Sequence, residues 1–226
     1  MFTPLFFLKV ILAPIIVLSV SFLQRRFGDR FGGWLIGLPI TTGPFIFIIA
    51  IQEGITFAGH TARGVLLGQI ALIVFCLAYA YAALNFSWQL AIALGTVACV
   101  ATGFLVTSLK ISIWITAPSL IIIWLGAVKM WPKVSMPTLK LSPPKWELPV
   151  RIFVTLVLLV SLSALAPHVG AKAAGAMSTY PVIASVLGAF NHRRFGANAT
   201  VSTLRGLMQT LPITMGIIFA LGLILR

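Results

Sequence analysis

Two short polar stretches interrupt the apolar sequence and contain the residues best suited to bind a small solute. Each combines a proline with neighbouring hydroxyl side chains: Pro39, Thr41 and Thr42 in the first stretch, and Thr179, Tyr180 and Pro181 in the second. Proline lacks a backbone donor and clashes with the preceding helical turn. We therefore expect each stretch to break a helix inside the membrane, where freed backbone groups must face protein or a water-filled cavity. For one stretch considered alone, a simple proline kink is the alternative.

Charged residues near the ends of apolar segments add a second signal. Arg63 and Arg205 each follow the start of an apolar segment by a few residues, and an arginine inside a membrane is costly unless it pairs or reaches the interface. We expect the two to line the access route for an anionic group, with snorkelling as the alternative. Glu53 is the candidate for proton coupling, or else it neutralises Arg63. The other two carboxylates, Asp29 and Glu147, are expected in loops.

Signatures of intramembrane catalysis are missing from the sequence. There is no His-Glu-x-x-His motif, no Gly-x-Ser-x-Gly motif and no pair of aspartates that could hold magnesium. The histidines lie at segment ends, with neither a cysteine nearby nor a histidine four residues away, so they do not indicate a metal site. We therefore predict no enzyme, no cofactor and no metal centre.

The composition indicates that membrane helices position these residues. Of 226 residues, 60% are hydrophobic and 8% are charged, whereas soluble proteins contain roughly 25% charged residues. The two cysteines both lie in apolar runs, which excludes a disulfide scaffold. Apolar runs of about 20 residues favour an all-α integral membrane protein over a barrel. The net charge of +13 fits basic cytoplasmic loops, and no basic stripe with interleaved aromatics indicates nucleic-acid binding.

The apolar runs predict eight transmembrane segments. They are 3–24, 31–51, 61–84, 88–109, 111–131, 148–167, 172–191 and 200–225. Five prolines and three lysines occur between Pro132 and Pro149, so a solvated linker is predicted at 132–147. This linker divides the chain into residues 1–131, with five segments, and residues 148–226, with three.

The basic residues predict the orientation of the segments. If the first connection faces the cytoplasm, most lysines and arginines fall in inner loops: Arg25, Arg26, Arg30, Lys129, Lys133, Lys140, Lys145, Arg151, Arg193 and Arg194. Such an asymmetry follows the positive-inside rule. Both chain termini are then expected on the outer side.

An internal repeat appears when the chain is shifted by 142 residues, which places Pro39 on Pro181. Other identical pairs are Ser19 with Ser161, Gly28 with Gly170, Gly33 with Gly175, Gly54 with Gly196, Thr61 with Thr203, Arg63 with Arg205, and Gly64 with Gly206. Four of these pairs are glycines, more than composition alone predicts. The matches fall on residue types with positional meaning in helices, which favours a repeat over chance similarity between two apolar sequences.

The repeat should have inverted topology, because the shift spans five segments and an odd number reverses direction across the membrane. Segments 1, 2 and 3 then correspond to 6, 7 and 8, and inverted repeats with paired broken helices are typical of secondary transporters. Segments 4 and 5 have no counterparts. Either a five-plus-five unit has been shortened, or a neighbouring subunit, such as the second copy in a homodimer, completes it.

The stretch around the first interruption resembles a known group of sequences. Gly37-Leu38-Pro39-Ile40-Thr41-Thr42-Gly43-Pro44, with Phe57-Ala58 and Arg205-Gly206, is similar to uncharacterised bacterial inner-membrane proteins with a Gly-Leu-Pro-x-Thr-Ser-Gly-Pro box. Thr42 replaces the serine of that box, and those proteins continue through two further apolar segments. The resemblance implies the bacterial inner membrane and a transporter-like inverted repeat, but no substrate.

These patterns predict a small secondary transporter or exporter that works by alternating access. The solute would be anionic or zwitterionic, with the lipid bilayer as the surrounding partner. Two alternatives stay open at this point. One is a flippase-like, lipid-handling protein, suggested by the basic linker. The other is a non-transporting membrane subunit or assembly factor, suggested by the absence of counterparts to segments 4 and 5.

Overall fold

The described part of the chain is helical. The computed structural model describes residues 4–40, 42–108, 113–134, 146–165 and 180–225, and no strand occurs in these ranges. The helices, in chain order, are α1 (Pro4–Phe27), α2 (Asp29–Gly37), α3 (Thr42–Glu53), α4 (Ile55–Asn85), α5 (Trp88–Ser108), α6 (Ile113–Lys129), α7 (Glu147–Leu165), α8 (Val182–Phe195) and α9 (Ala197–Ile224).

Three helices are long and apolar enough to cross a membrane, judged by length and composition: α4, α5 and α9. Most of α6 forms a shorter apolar helix. With 31 and 28 residues, α4 and α9 exceed the ~20 residues that a span requires. The described helices therefore fit the predicted helical membrane protein.

Glycines mark the joints between consecutive helices. Gly54 separates α3 from α4 and has φ of 89°, and Gly196 separates α8 from α9 with φ of 83°. A residue with a side chain adopts this left-handed region with difficulty, so glycine permits the abrupt change of direction. The joints place the starts of α4 and α9 at Ile55 and Ala197, several residues before the predicted starts at 61 and 200. Hydropathy alone missed these polar first turns.

Contacts between helices show their relative directions. The first turns of α4 lie beside the end of α9, since a Cβ added to Gly59 would be 2.4 Å from the carbonyl oxygen of Leu225. The far end of α4 lies near the start of α9, where Tyr79 packs on Gly188, whose carbonyl accepts a hydrogen bond from Thr200. Helices α4 and α9 therefore run antiparallel.

Small residues let α2 pack closely and in parallel against α9. A Cβ on Gly33 would lie 1.8 Å from the carbonyl oxygen of Thr203, and a Cβ on Gly206 would lie 2.0 Å from that of Arg30. The hydroxyl of Thr214 donates to the carbonyl oxygen of Gly37 at 2.5 Å. Because Gly37 is the last residue of α2, this bond satisfies a carbonyl that the helix leaves without an internal partner.

We predict that Gly206→Ala destabilises the protein by about 1–3 kcal/mol, because the new methyl group would force the α2 backbone away. Gly216→Ala in the same helix is the matched control, since a Cβ there meets nothing within 4 Å. Thermal unfolding in detergent should show a lower midpoint for Gly206→Ala only. Equal midpoints for the two variants would contradict the close contact.

Candidate functional site

The predicted interruption at Pro39 is present in the structure. Helix α2 ends at Gly37 and α3 begins at Thr42, so the chain leaves the helical path around Pro39. The carbonyl of Pro39 accepts a hydrogen bond from the amide of Gly43 at 2.9 Å. Thr42 is half-buried, whereas Thr41 lies outside the described residues. The sequence therefore located this break correctly.

The second predicted interruption is described from Tyr180 onward. Pro181 occupies the N-cap position of α8, which begins at Val182, and its carbonyl accepts the amide of Ser185 at 2.9 Å. A proline suits the start of a helix because no internal partner exists there for its missing donor. Thr179 lies outside the described residues, so the polar pair Thr179 and Tyr180 is described only in part.

Tyr180 is held by α4 and α5. Its hydroxyl lies 3.1 Å from the hydroxyl of Thr96, and its ring meets the Phe75 ring edge-on at a centroid distance of 6.0 Å. Both contacts fix the ring while leaving the phenol part of a hydrogen-bonded pair. Tyr180 could therefore offer a hydrogen bond to a solute only by exchanging Thr96 as its partner.

The two interruptions contact one apolar cluster. Ile40 follows Pro39, Ile183 follows Pro181 by two residues, and both pack against a cluster formed by Ile16, Val20 and Leu187. The cluster joins α1, α2 and α8, so the breaks are brought to the same region. Their immediate surroundings in this conformation are apolar.

Arg63 and Arg205 lie at opposite ends of the α4–α9 pair. Each is the ninth residue of its helix, deeper than the predicted segment starts implied. Gly59 lies beside Leu225, so the rise per residue places the two arginines about 24 Å apart along the axis. Arg63 is half-buried and Arg205 is exposed. A single small solute therefore contacts one arginine at a time; Glu53 ends α3, and its side chain is outside the description.

A buried ion pair lies at the start of α7. The Arg151 guanidinium donates to the Glu147 carboxylate at 2.5 Å, and Arg194 donates to the other carboxylate oxygen at 3.1 Å. Arg151 is 4% exposed and Glu147 is 3% exposed. The carboxylate is therefore shared between α7 and the last turn of α8.

Polar side chains connect this pair to both parts of the chain. Arg151 also donates to Asn191 at 3.1 Å and to Gln24 at 3.3 Å. Asn191 donates to the Thr203 hydroxyl at 2.9 Å, and Gln24 approaches the same hydroxyl at 3.4 Å. We call Gln24, Glu147, Arg151, Asn191, Arg194 and Thr203 the inner network. It ties α1 to α7, α8 and α9.

The inner network corrects the expected positions of its charged members. Glu147 and Arg151 were assigned to a linker or inner loop, but the structure places both in α7 and buries them. The reason is mutual pairing: a lone buried charge is very costly, whereas a paired and hydrogen-bonded one is tolerated. The signal in the sequence was their i,i+4 spacing, which brings two side chains together on one helix face.

Asp29 is also not a loop residue, since it begins α2. Burial raises its pKa from 3.8 to about 6, while the nearby Arg151 guanidinium acts in the opposite direction. Asp29 therefore adds a second carboxyl group close to the inner network, and one that titrates nearer to neutral pH than an ordinary aspartate.

Metal ligands are not gathered together in the ranges that the structure describes. No three His, Cys, Asp or Glu side chains form a group there, and Cys76 and Cys99 are buried free thiols. The charged groups of the inner network are one carboxylate and two guanidinium groups, a set that disfavours a bound cation.

Comparison with known proteins adds no relative. No protein-family model matches the chain, and searches of curated proteins and of solved structures find no match either. The resemblance carried by the Gly37–Pro44 box stays a prediction.

We predict that Glu147→Gln lowers the free energy of unfolding by about 3–5 kcal/mol, because it leaves Arg151 buried without its carboxylate. Adding Arg151→Gln should restore part of this loss, since the uncompensated charge is then removed. Thermal unfolding of both variants in detergent measures the difference. A double variant no more stable than the single one would contradict this charge-pairing account.

We predict a pH effect from Asp29. Its folded-state pKa is raised, so the folded protein holds the proton between about pH 4 and pH 6 while the unfolded chain releases it. Stability should fall as the pH rises through this window, with an upper limit of about 3 kcal/mol. Asp29→Asn should flatten the curve and be the more stable protein at pH 7. Parallel stability curves from pH 4 to pH 7 would contradict the raised pKa.

Proposed function

We propose that the chain is a small secondary transporter or exporter of an anionic or zwitterionic solute, located in the bacterial inner membrane. The observation that carries the proposal is the inner network, a buried ionic cluster that fastens α1 of the first half to three helices of the second half. Buried ionisable groups inside a membrane protein mark pathways or moving parts more often than inert structure.

Two related halves support alternating access. Under the 142-residue shift, the end of α3 at Glu53 falls on the end of α8 at Phe195, and the start of α4 falls on the start of α9. The positive-φ glycines Gly54 and Gly196 coincide as well. With α4 and α9 antiparallel, these correspondences are those of an inverted repeat. Rocking one half against the other would alternate access to a central site.

The inner network acts as a gate in this proposal. It lies near the end of α1 and the start of α7, which the basic residues place on the cytoplasmic side. Opening would separate Gln24 from Arg151 and admit water. Hydration of the released charges would offset the lost contacts, because desolvation already opposes the buried pair. A modest free-energy difference between closed and open states is what a carrier needs.

The solute path would begin at the opposite, outer end. Arg63 lies there, and its Nε is buried without a hydrogen-bond partner among the described residues. An anion passing this position would supply the missing acceptor. The path would continue to the two interruptions, where Thr41, Thr42, Thr179 and Tyr180 supply hydroxyl groups, with Glu53 as the group that couples a proton.

A non-transporting membrane subunit is the second candidate. The observation that favours it is the apolar packing of Ile40 and Ile183 on one cluster, which places aliphatic side chains where a carrier needs polar contacts. The same experiment separates the two functions.

Proteoliposomes loaded with radiolabelled phosphate, lactate, glutamate or betaine test the proposal. At least one probe should leave faster than from protein-free liposomes. Arg63→Gln should slow that efflux about tenfold, since a charge-assisted hydrogen bond to an anion is lost. Arg193→Gln, which removes an exposed charge at the inner end, is the control and should leave efflux unchanged. Efflux of no probe from the wild type would contradict the carrier and favour the subunit.

A further inference from the structure

An exposed face of α2 and α9 carries hydrogen-bond donors with few acceptors. Arg30 Nε and Trp34 Nε1 both donate to Oε1 of Gln209, at 2.8 and 2.9 Å. Arg205 is exposed one helical turn before Gln209. We call Arg30, Trp34, Arg205 and Gln209 the α2–α9 patch. Neither of its arginines forms an ion pair with a carboxylate among the described residues.

The contacts to Gln209 fix the chemistry of the patch. Two donors converge on its carbonyl oxygen, so its amide nitrogen is turned away from them with both protons available. The remaining guanidinium donors of Arg30 and the whole guanidinium of Arg205 add to this set. Three groups thus present donors and two positive charges. This combination matches the oxygens of a phosphate group.

The packing of α2 on α9 gives the depth of the patch. Gly206 contacts the backbone of Arg30, so Arg205 lies level with the first turn of α2. Phe27, Phe31 and Trp34 form an exposed aromatic row at the same level, with successive ring centroids 5.6 and 4.7 Å apart. Aromatic side chains gather at the boundary between headgroups and acyl chains. The patch therefore lies at the headgroup level of one leaflet.

Apolar side chains continue the same face toward the membrane interior. Ile213 and Ile217, one and two turns beyond Gln209, are 51% and 42% exposed. A surface with donors at the headgroup level and exposed aliphatic side chains below it is complementary to a whole phospholipid. A soluble anion would use only the donors.

We propose that the α2–α9 patch binds the headgroup phosphate of an anionic phospholipid in the cytoplasmic leaflet. Arg205 and Arg30 provide the charge, Gln209 provides a neutral donor held by Trp34, and Ile213 and Ile217 contact the acyl chain. The site does not depend on transport, so it stands or falls separately from the proposed function.

Native mass spectrometry of the full chain in detergent tests this site. Phosphatidylglycerol should remain bound to the wild type, and phosphatidylcholine should bind more weakly. The double substitution Arg30→Gln with Arg205→Gln should weaken phosphatidylglycerol binding about thirtyfold, given the usual contribution of each basic residue near a membrane surface. The matched control, Arg25→Gln with Arg193→Gln, removes two exposed charges elsewhere on the basic loops and should bind like the wild type.

Further arms keep each outcome decisive. A variant with lysine at both positions should recover most of the binding, which separates lost charge from lost folding. Equal weakening in the control would overturn the site, because net charge alone would then explain it. Inorganic phosphate that binds the wild type as tightly as phosphatidylglycerol would also overturn it. So would a dimer, free of bound lipid, in which cross-links from position 209 reach a second copy.

Discussion

The buried ion pair between Glu147 and Arg151 is the interaction on which the arrangement of the inner end depends. Two charges withdrawn from water impose a large desolvation cost, and only the surrounding amide and hydroxyl groups make that cost tolerable. The partners of Arg151 come from α1 and α8 as well as α7. Satisfying one guanidinium therefore fixes three helices relative to one another, including helices from both parts of the chain.

A second constraint acts through the backbone at the breaks. Groups released from a helix inside a membrane need partners, and the carbonyl of Gly37 finds one in the Thr214 hydroxyl. The close α2–α9 contact that makes this bond possible requires Gly33 and Gly206. The interruption is thus braced on one side by α9, which confines any movement there to the pair as a unit.

The sequence predicted the apolar helices, the break at Pro39 and the start of a helix after Pro181, because proline and hydropathy act locally. The repeat shift also anticipated the matching joints at Gly54 and Gly196. The inner network escaped prediction, since Gln24, Asn191 and Thr203 are unremarkable in sequence and acquire meaning only when packing brings them to Arg151. Glu147 was misplaced because prolines on both sides of it suggested a loop, while burial depends on partners distant in the chain.

The most direct test of the gate is the accessibility of a thiol placed behind it. Ser185 is fully buried on α8, two turns from Asn191 toward the membrane interior, and Ser185→Cys is a small change. In a background lacking Cys76 and Cys99, a membrane-impermeant thiol reagent is added from the cytoplasmic side. The inner network predicts slow labelling with Glu147 intact and several-fold faster labelling in Glu147→Gln. Equal labelling rates would contradict the account.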